Sequence, residues 1–120
     1  MTEPFELTIS EAAGQIRGGA LSPVALMESL LARSRVLEPD LRVWVTLNED
    51  AALAAARRSQ DTLERGGPIG PLHGIPVGVK DIFYTEGVKT TAGSPIYADF
   101  IPPHDSTAVA RLKAAGAIMM

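Results

Sequence analysis

The most informative segment of this sequence is Gly70-Pro71-Leu72-His73-Gly74-Ile75-Pro76-Val77-Gly78-Val79-Lys80-Asp81. Its glycines and prolines predict a loop over residues 66–76, and the apolar run 76–80 predicts a β-strand. Because side chains alternate along a strand, Gly78 and Lys80 are expected on one face, with open space left beside the lysine stem. Lys80 is predicted at the carboxyl end of the strand, where open α/β sheets gather their ligands.

A lysine in this position has two interpretations. Its ammonium group either reaches water or pairs with a nearby carboxylate, such as that of Asp81 or Asp105. Alternatively, burial removes its charge, and the neutral amine works as a base.

The same stretch is not a phosphate-binding loop. That motif needs four residues between its glycines, then lysine, then serine or threonine. Here three residues separate Gly74 from Gly78, and Val79 intervenes before the lysine. Binding of ATP or GTP by this loop is therefore rejected.

Amino-terminal to this stretch, capping residues followed by apolar residues at helical spacing predict three helices. The predicted boundaries are Thr8 or Ser10 to Gly18-Gly19, Ser22-Pro23 to about Val36 with Pro39 as the stop, and Asn48 or Asp50 to about Arg65.

Two further strands and a last helix complete the prediction. The β-branched and aromatic residues 43–47 predict a short strand. Residues 83–104 are expected to be mostly irregular, with a short strand near Val88. Asp105 or Ser106 caps a helix that ends at Gly116, and residues 117–120 begin another strand. The alternation of strands and helices predicts an α/β fold with a mixed or parallel sheet flanked by helices.

The composition excludes several function classes. The chain has 120 residues, 46% hydrophobic and 21% charged, with a formal net charge of −3, which gives no reason to expect direct contact with nucleic acid or an anionic membrane. Without cysteine there is no disulfide, thiolate metal site or cysteine nucleophile. No secretory signal is recognised, so the cytoplasm is the expected location. A strand that begins in the last four residues predicts a fragment of a longer protein.

Other conspicuous side chains have simple structural interpretations. His73 and His104 are expected to be loop histidines and not metal ligands. Trp44 is expected to anchor a core strand. The remaining candidates are Arg57, Arg58 and Arg65 on an exposed helix face, and Thr90, Thr91 and Ser94 as turn-stabilising hydroxyls that could instead line a pocket.

Several ordered blocks of the sequence resemble the amidase-signature family. Residues 70–81 resemble its lysine motif, and Thr90-Thr91-Ala92-Gly93-Ser94 resembles the next block. Residues 102–109 and 111–117 resemble the third, so that the resemblance covers about residues 70–119.

The resemblance implies a serine hydrolase with a Ser–cis-Ser–Lys triad, in which Lys80 is the base. A serine hydroxyl attacks poorly until a positioned base removes its proton. Asp81 would support local structure, and neither a metal nor an organic cofactor is implied. Both serines belong to a Gly-Ser-rich stretch of the family that this sequence does not reach. Residues 1–120 are therefore expected to be the amino-terminal part of a single amidase-signature domain.

Three hypotheses on function stay open. The first is an amidase acting on a small carboxamide, which the bulky residues Ile82-Phe83-Tyr84 weakly favour; homo-oligomers are possible. The second is the amidase-type subunit of a glutamine-dependent tRNA amidotransferase with partner subunits. The third is a non-catalytic homologue whose unpaired strand at residues 117–120 invites association.

The resemblance generates a first prediction. Purified residues 1–120 are expected to release no ammonia from simple amides, because neither serine of the triad is present. A coupled ammonia assay tests this, and robust turnover would contradict the assignment of the missing serines.

Overall fold

The computed structural model describes residues 2–120. Four α-helices, two short 3₁₀ turns and a parallel pair of β-strands make up the regular structure of these residues. No helix in this range has the length and apolarity needed to cross a membrane. The elements are a 3₁₀ turn at Pro4–Glu6, α1 at Ile9–Arg17, α2 at Pro23–Leu41, α3 at Glu49–Glu64, β1 at Pro76–Val77, a 3₁₀ turn at Pro95–Tyr97, α4 at Thr107–Ala114 and β2 at Ile118–Met119.

All four helices begin at the polar residues that the sequence indicated. The side chains of Ser22, Asn48 and Ser106 each accept a hydrogen bond from the backbone N–H three residues later. At α1, Thr8 and Glu11 form a reciprocal capping box. The Thr8 backbone N–H, and next its hydroxyl, lower the pKa of the Glu11 carboxyl. Short-range capping chemistry therefore sets these helix starts.

The predicted end of α2 is wrong. The helix continues past Val36 and Pro39 to Leu41. Although a proline lacks the N–H for one helical hydrogen bond, the next turn still closes, with the Arg42 N–H donating to the Glu38 carbonyl at 2.9 Å. The Glu38 carboxylate also accepts hydrogen bonds from backbone N–H groups just beyond the helix.

The strand predicted at residues 43–47 is also wrong, because this segment is irregular. The N–H groups of Val43 and Trp44 donate to the Glu38 carboxylate, the latter at 3.2 Å. They are therefore not available to a neighbouring strand, and β propensity alone does not decide the conformation.

The two strands pair in parallel, which is compatible with the predicted mixed or parallel sheet. Pro76 lies opposite Ile118 and Val77 opposite Met119. The strand predicted over residues 76–80 is shorter than expected, since ladder pairing stops at Val77. Residues 83–104 are mostly irregular, as predicted, and an isolated bridge joins Thr85 to Val88.

The core consists of two apolar clusters that share α2. One joins α1 and α2 to the residue before β1, and the other joins α2 and α3 to β2. The buried members of the first are Ala12, Ala13, Ile16, Leu26 and Ile75, and those of the second are Met27, Leu31, Ala52, Ala56 and Ile118.

A close backbone approach joins residues 70–77 to residues 115–120. The N–H groups of Leu72 and Gly74 donate to the carbonyls of Ala115 and Gly116, at 2.9 and 3.1 Å. A Cβ at Gly70 would lie 2.3 Å from the Ala115 carbonyl oxygen, and one at Gly116 would lie 2.6 Å from the His73 Cα. Only glycines at both positions permit this approach.

Substitution of Gly116 tests the importance of this approach. Gly116→Ala is expected to lower the free energy of unfolding by at least about 2 kcal/mol, because a φ of +96° and contact with His73 both oppose a side chain. Urea denaturation of the complete protein that carries this segment measures the loss.

Gly66→Ala is the matched control. Its φ is +69°, but no atom lies within 4 Å of the added Cβ. It should therefore cost only about 1 kcal/mol. Equal losses for the two variants would show that the close approach adds nothing.

Candidate functional site

Lys80 lies three residues beyond β1 and lines a cavity of about 670 Å³. The cavity is bounded by the irregular segment before α3, by the chain after β1 and by the end of β2. Its lining residues are Val43, Trp44, Val45, Thr46, Asn48, Ala51, Gly78, Val79, Lys80, Asp81, Phe83, Thr85, Gly87, Val88, Lys89, Thr90, Met119 and Met120. The lysine therefore lies in a cavity wall that is largely apolar.

The lysine side chain is exposed in this structure. Residues 2–120 therefore do not by themselves supply the burial that a neutral amine needs. Lys80 as the catalytic base stays a prediction at this point.

The carboxylates of both proposed partners of Lys80 are bonded elsewhere. One oxygen of Asp81 accepts the Thr91 N–H at 2.9 Å, and the other accepts the Thr91 hydroxyl. Asp105 accepts the Glu86 N–H at 2.8 Å and pairs with the Lys113 ammonium at 2.9 Å. Within residues 2–120 no ion pair of Lys80 is found.

Trp44 does not anchor a core strand, which corrects the prediction for this residue. It is half-buried and lines the cavity that Lys80 also lines, which is called the lysine cavity below. A Cβ at Gly78 would lie 3.3 Å from the Trp44 Cη2 atom. The indole ring therefore occupies part of the space that glycine leaves at position 78.

The hydroxyl groups of the Thr-Thr-Ala-Gly-Ser block stabilise turns, as the sequence indicated. The buried Thr90 hydroxyl donates to the Val88 carbonyl at 3.3 Å. Ser94 accepts the Ile96 N–H at the start of the second 3₁₀ turn. Thr90 also lines the lysine cavity, so the alternative of a pocket role holds for this residue.

Both histidines lie in loops and the three arginines are exposed, as the sequence indicated. His73 bonds the Ser59 carbonyl at 2.8 Å, and His104 lies exposed in a loop. In the described part of the chain, no cluster of potential ligands could hold a metal ion. The arginines of α3 and its end, Arg57, Arg58 and Arg65, are exposed.

No serine of residues 2–120 lines the cavity with Lys80. Ser22, Ser94 and Ser106 are capping residues, and the Ser29 hydroxyl accepts the Phe5 N–H at 3.1 Å. None of these serines therefore lies in a catalytic position beside Lys80.

The chain is thus an α/β protein in which a lysine follows a parallel strand and lines a largely apolar cavity. The family model described as amidase matches residues 25–120. The chain belongs to the amidase family.

Relatives and solved structures agree with this assignment. The chain is 45% identical over 120 residues to a glutamyl-tRNA(Gln) amidotransferase subunit from Chloroflexus aurantiacus, and 40% identical to the corresponding protein from Streptomyces coelicolor. Both alignments cover the whole of this chain but only about a quarter of the relative's length.

Among solved structures, a peptide amidase from Stenotrophomonas maltophilia superposes with a TM-score of 0.88 at 32% identity. The match covers 99% of this chain and 25% of that one. Fatty acid amide hydrolase superposes with a TM-score of 0.91 at 26% identity, over 99% of this chain and 22% of that one. The amidase-signature fold predicted from the sequence is confirmed.

Sequence reasoning missed three features of the site. These are the packing of Trp44 over Gly78, the bonding of Asp81 to Thr91, and the two methionines of the β2 end in the cavity wall. Each brings together residues that are ten or more positions apart along the chain, and only the glycine at position 78 gave a local signal.

The Asp105 contacts generate a pH prediction. The Glu86 N–H, and then the Lys113 ammonium, hold the pKa of the Asp105 carboxyl below its ordinary value of 3.8. Its stabilising contribution is therefore complete above that value and disappears as pH falls through the lower, folded-state pKa. Asp105→Asn should cost about 1 kcal/mol at pH 7 and progressively less towards pH 3.

Urea denaturation at several pH values measures this difference. Asp99→Asn is the control, because its side chain is 96% exposed and its ion pair with Lys89 should contribute little. A loss that is the same at pH 7 and pH 3 would contradict the role of the Asp105 charge.

Proposed function

We propose that the protein carrying this segment is an amidase that hydrolyses a carboxamide to a carboxylate and ammonia or an amine. The observation that carries the proposal is the position of Lys80 in the wall of a largely apolar cavity, while the one carboxylate among the described residues that line it, that of Asp81, is bonded to Thr91. Membership of the amidase family over residues 25–120 supports it.

Lys80 acts as the base in the proposed mechanism. Its neutral amine accepts a proton from a bridging serine, which in turn deprotonates the nucleophilic serine. The serine oxygen attacks the carbonyl carbon, the C–N bond breaks, and the nitrogen leaves with the transferred proton. Water then cleaves the acyl-serine ester and releases the carboxylate. Both serines lie outside residues 1–120, so we propose that these residues form the amino-terminal part of one amidase-signature domain.

A second candidate is the amidase-type subunit of a glutamine-dependent tRNA amidotransferase. Identities of 40% and 45% to glutamyl-tRNA(Gln) amidotransferase subunits favour it. In this case ammonia would come from glutamine, and partner subunits would handle ATP and tRNA. Of the residues Ile82-Phe83-Tyr84, which favoured a hydrolase pocket, only Phe83 lines the cavity. The cytoplasm is the proposed location for either function.

Replacement of Lys80 tests the proposed chemistry. In the product of the complete reading frame, Lys80→Met is expected to reduce kcat for ammonia release by about 10²–10⁴-fold, because the base is lost. Lys89→Met is the matched control, since Lys89 lines the same cavity but pairs with Asp99 at 3.5 Å. Undiminished turnover by Lys80→Met would overturn the mechanism.

The substrate assay separates the two candidates. A stand-alone amidase should release ammonia from simple carboxamides without added proteins. An amidotransferase subunit should release it from glutamine, with a rate that rises when its partner subunits are present.

A further inference from the structure

Asp81 joins the lysine segment to the turn at residues 91–93. Its carboxylate accepts both the N–H and the hydroxyl of Thr91, and its backbone carbonyl accepts the Ala92 N–H at 2.8 Å. Ala92 has a left-handed φ of +51°, which a non-glycine residue adopts only when its surroundings hold it there. The paired bonds between the Asp81 carboxylate and Thr91 are called the Asp81–Thr91 contact below.

The Asp81–Thr91 contact holds the backbone beside Lys80. The last ladder hydrogen bond of the sheet joins the Met120 N–H to the Val77 carbonyl at 3.2 Å. Lys80 lies between this bond and the fixed residue Asp81, with a local bond from the Phe83 N–H to its carbonyl at 3.1 Å. Its position in the cavity therefore depends on both anchors.

The Asp81–Thr91 contact also engages the carboxylate closest in kind to a partner for Lys80. Among residues 2–120, Asp81 is the only one with a carboxylate that lines the lysine cavity. The ionisable side chains of these residues that line it are Lys80, Asp81 and Lys89, and Lys89 pairs with Asp99. A free carboxylate beside an ammonium group favours the charged form of the amine. Both Asp81 oxygens are oriented towards Thr91, and none of the ion pairs found in residues 2–120 joins Asp81 to Lys80.

We propose that Asp81 and Thr91 are positioning residues that hold Lys80 in place and keep the neighbouring carboxylate from pairing with its amine. This inference rests on the proposed function, because it assigns these residues a role in making Lys80 an effective base. The base works when neutral, so an ion pair with Asp81 would suppress it at neutral pH.

The Thr91 hydroxyl is the first group to remove. Thr91→Val keeps the shape of the side chain but frees one Asp81 oxygen, and the complete protein should then lose activity on the acid side. The acid limb of its pH–rate profile is expected to move to higher pH by about one pH unit. Thr91→Ser keeps the hydroxyl and should follow the wild-type profile.

A double variant identifies the carboxylate as the cause. Adding Asp81→Asn to Thr91→Val removes the charge that pairs with Lys80, and the acid limb should return to its wild-type position. A merely structural role for Thr91 would not produce this reversal. Superimposable profiles for Thr91→Val and Thr91→Ser would overturn the proposal.

The positioning effect is measured separately at the pH optimum. Asp81→Ala removes the anchor and should lower kcat by up to about 10²-fold with little change in KM, because a small displacement of a catalytic group slows the reaction. Asp81→Asn keeps acceptor and donor groups for Thr91 and should stay within a few fold of wild type. If Thr91→Val does not fold, equal kcat values for these two variants overturn the proposal.

Failure of this inference is distinct from failure of the proposed function. If Lys80→Met is inactive while the Thr91 and Asp81 variants all behave as wild type, only the positioning role is wrong. If Lys80→Met retains full turnover, the proposed mechanism is wrong and the positioning role falls with it.

Discussion

The close approach of residues 70–77 to residues 115–120 joins the two strands and fixes the start of the segment that leads to Lys80. It requires glycine at positions 70 and 116, where any Cβ would meet backbone atoms. The hydrogen bonds of Leu72 and Gly74 to Ala115 and Gly116 join the loops that lead into the two strands. These bonds therefore help to fix the register of β1 on β2. Because Lys80 follows β1 by three residues, this approach also determines where the lysine enters its cavity.

Much of the fold could be predicted from local sequence. The helix starts followed from Thr8, Ser22, Asn48 and Ser106, because capping is a contact between residues three positions apart. The helix passes Pro39 because the Arg42 N–H still closes the last turn on the Glu38 carbonyl. Residues 43–47 form no strand because the Glu38 carboxylate binds the N–H groups that follow α2. A side chain reaching past a helix end leaves no trace in propensity or periodicity.

The candidate site was predictable only in part. The blocks around Lys80 and Thr91 indicated the family, and the match over residues 25–120 agrees. They did not indicate that the Asp81 carboxylate turns to Thr91, ten residues further along the chain. That pairing depends on the path of an irregular loop, which follows from tertiary packing and not from any repeating pattern. The exposure of Lys80 shows likewise that a motif specifies a residue type more readily than its surroundings.

The packing of Trp44 over Gly78 has an optical consequence. Trp44 is the only tryptophan of the chain, so its indole emission arises from one place, the wall beside Lys80. The wavelength and quenching of that emission respond to the polarity and solvent access of the cavity. The chain thus carries an intrinsic fluorescent reporter at the site where its proposed chemistry takes place.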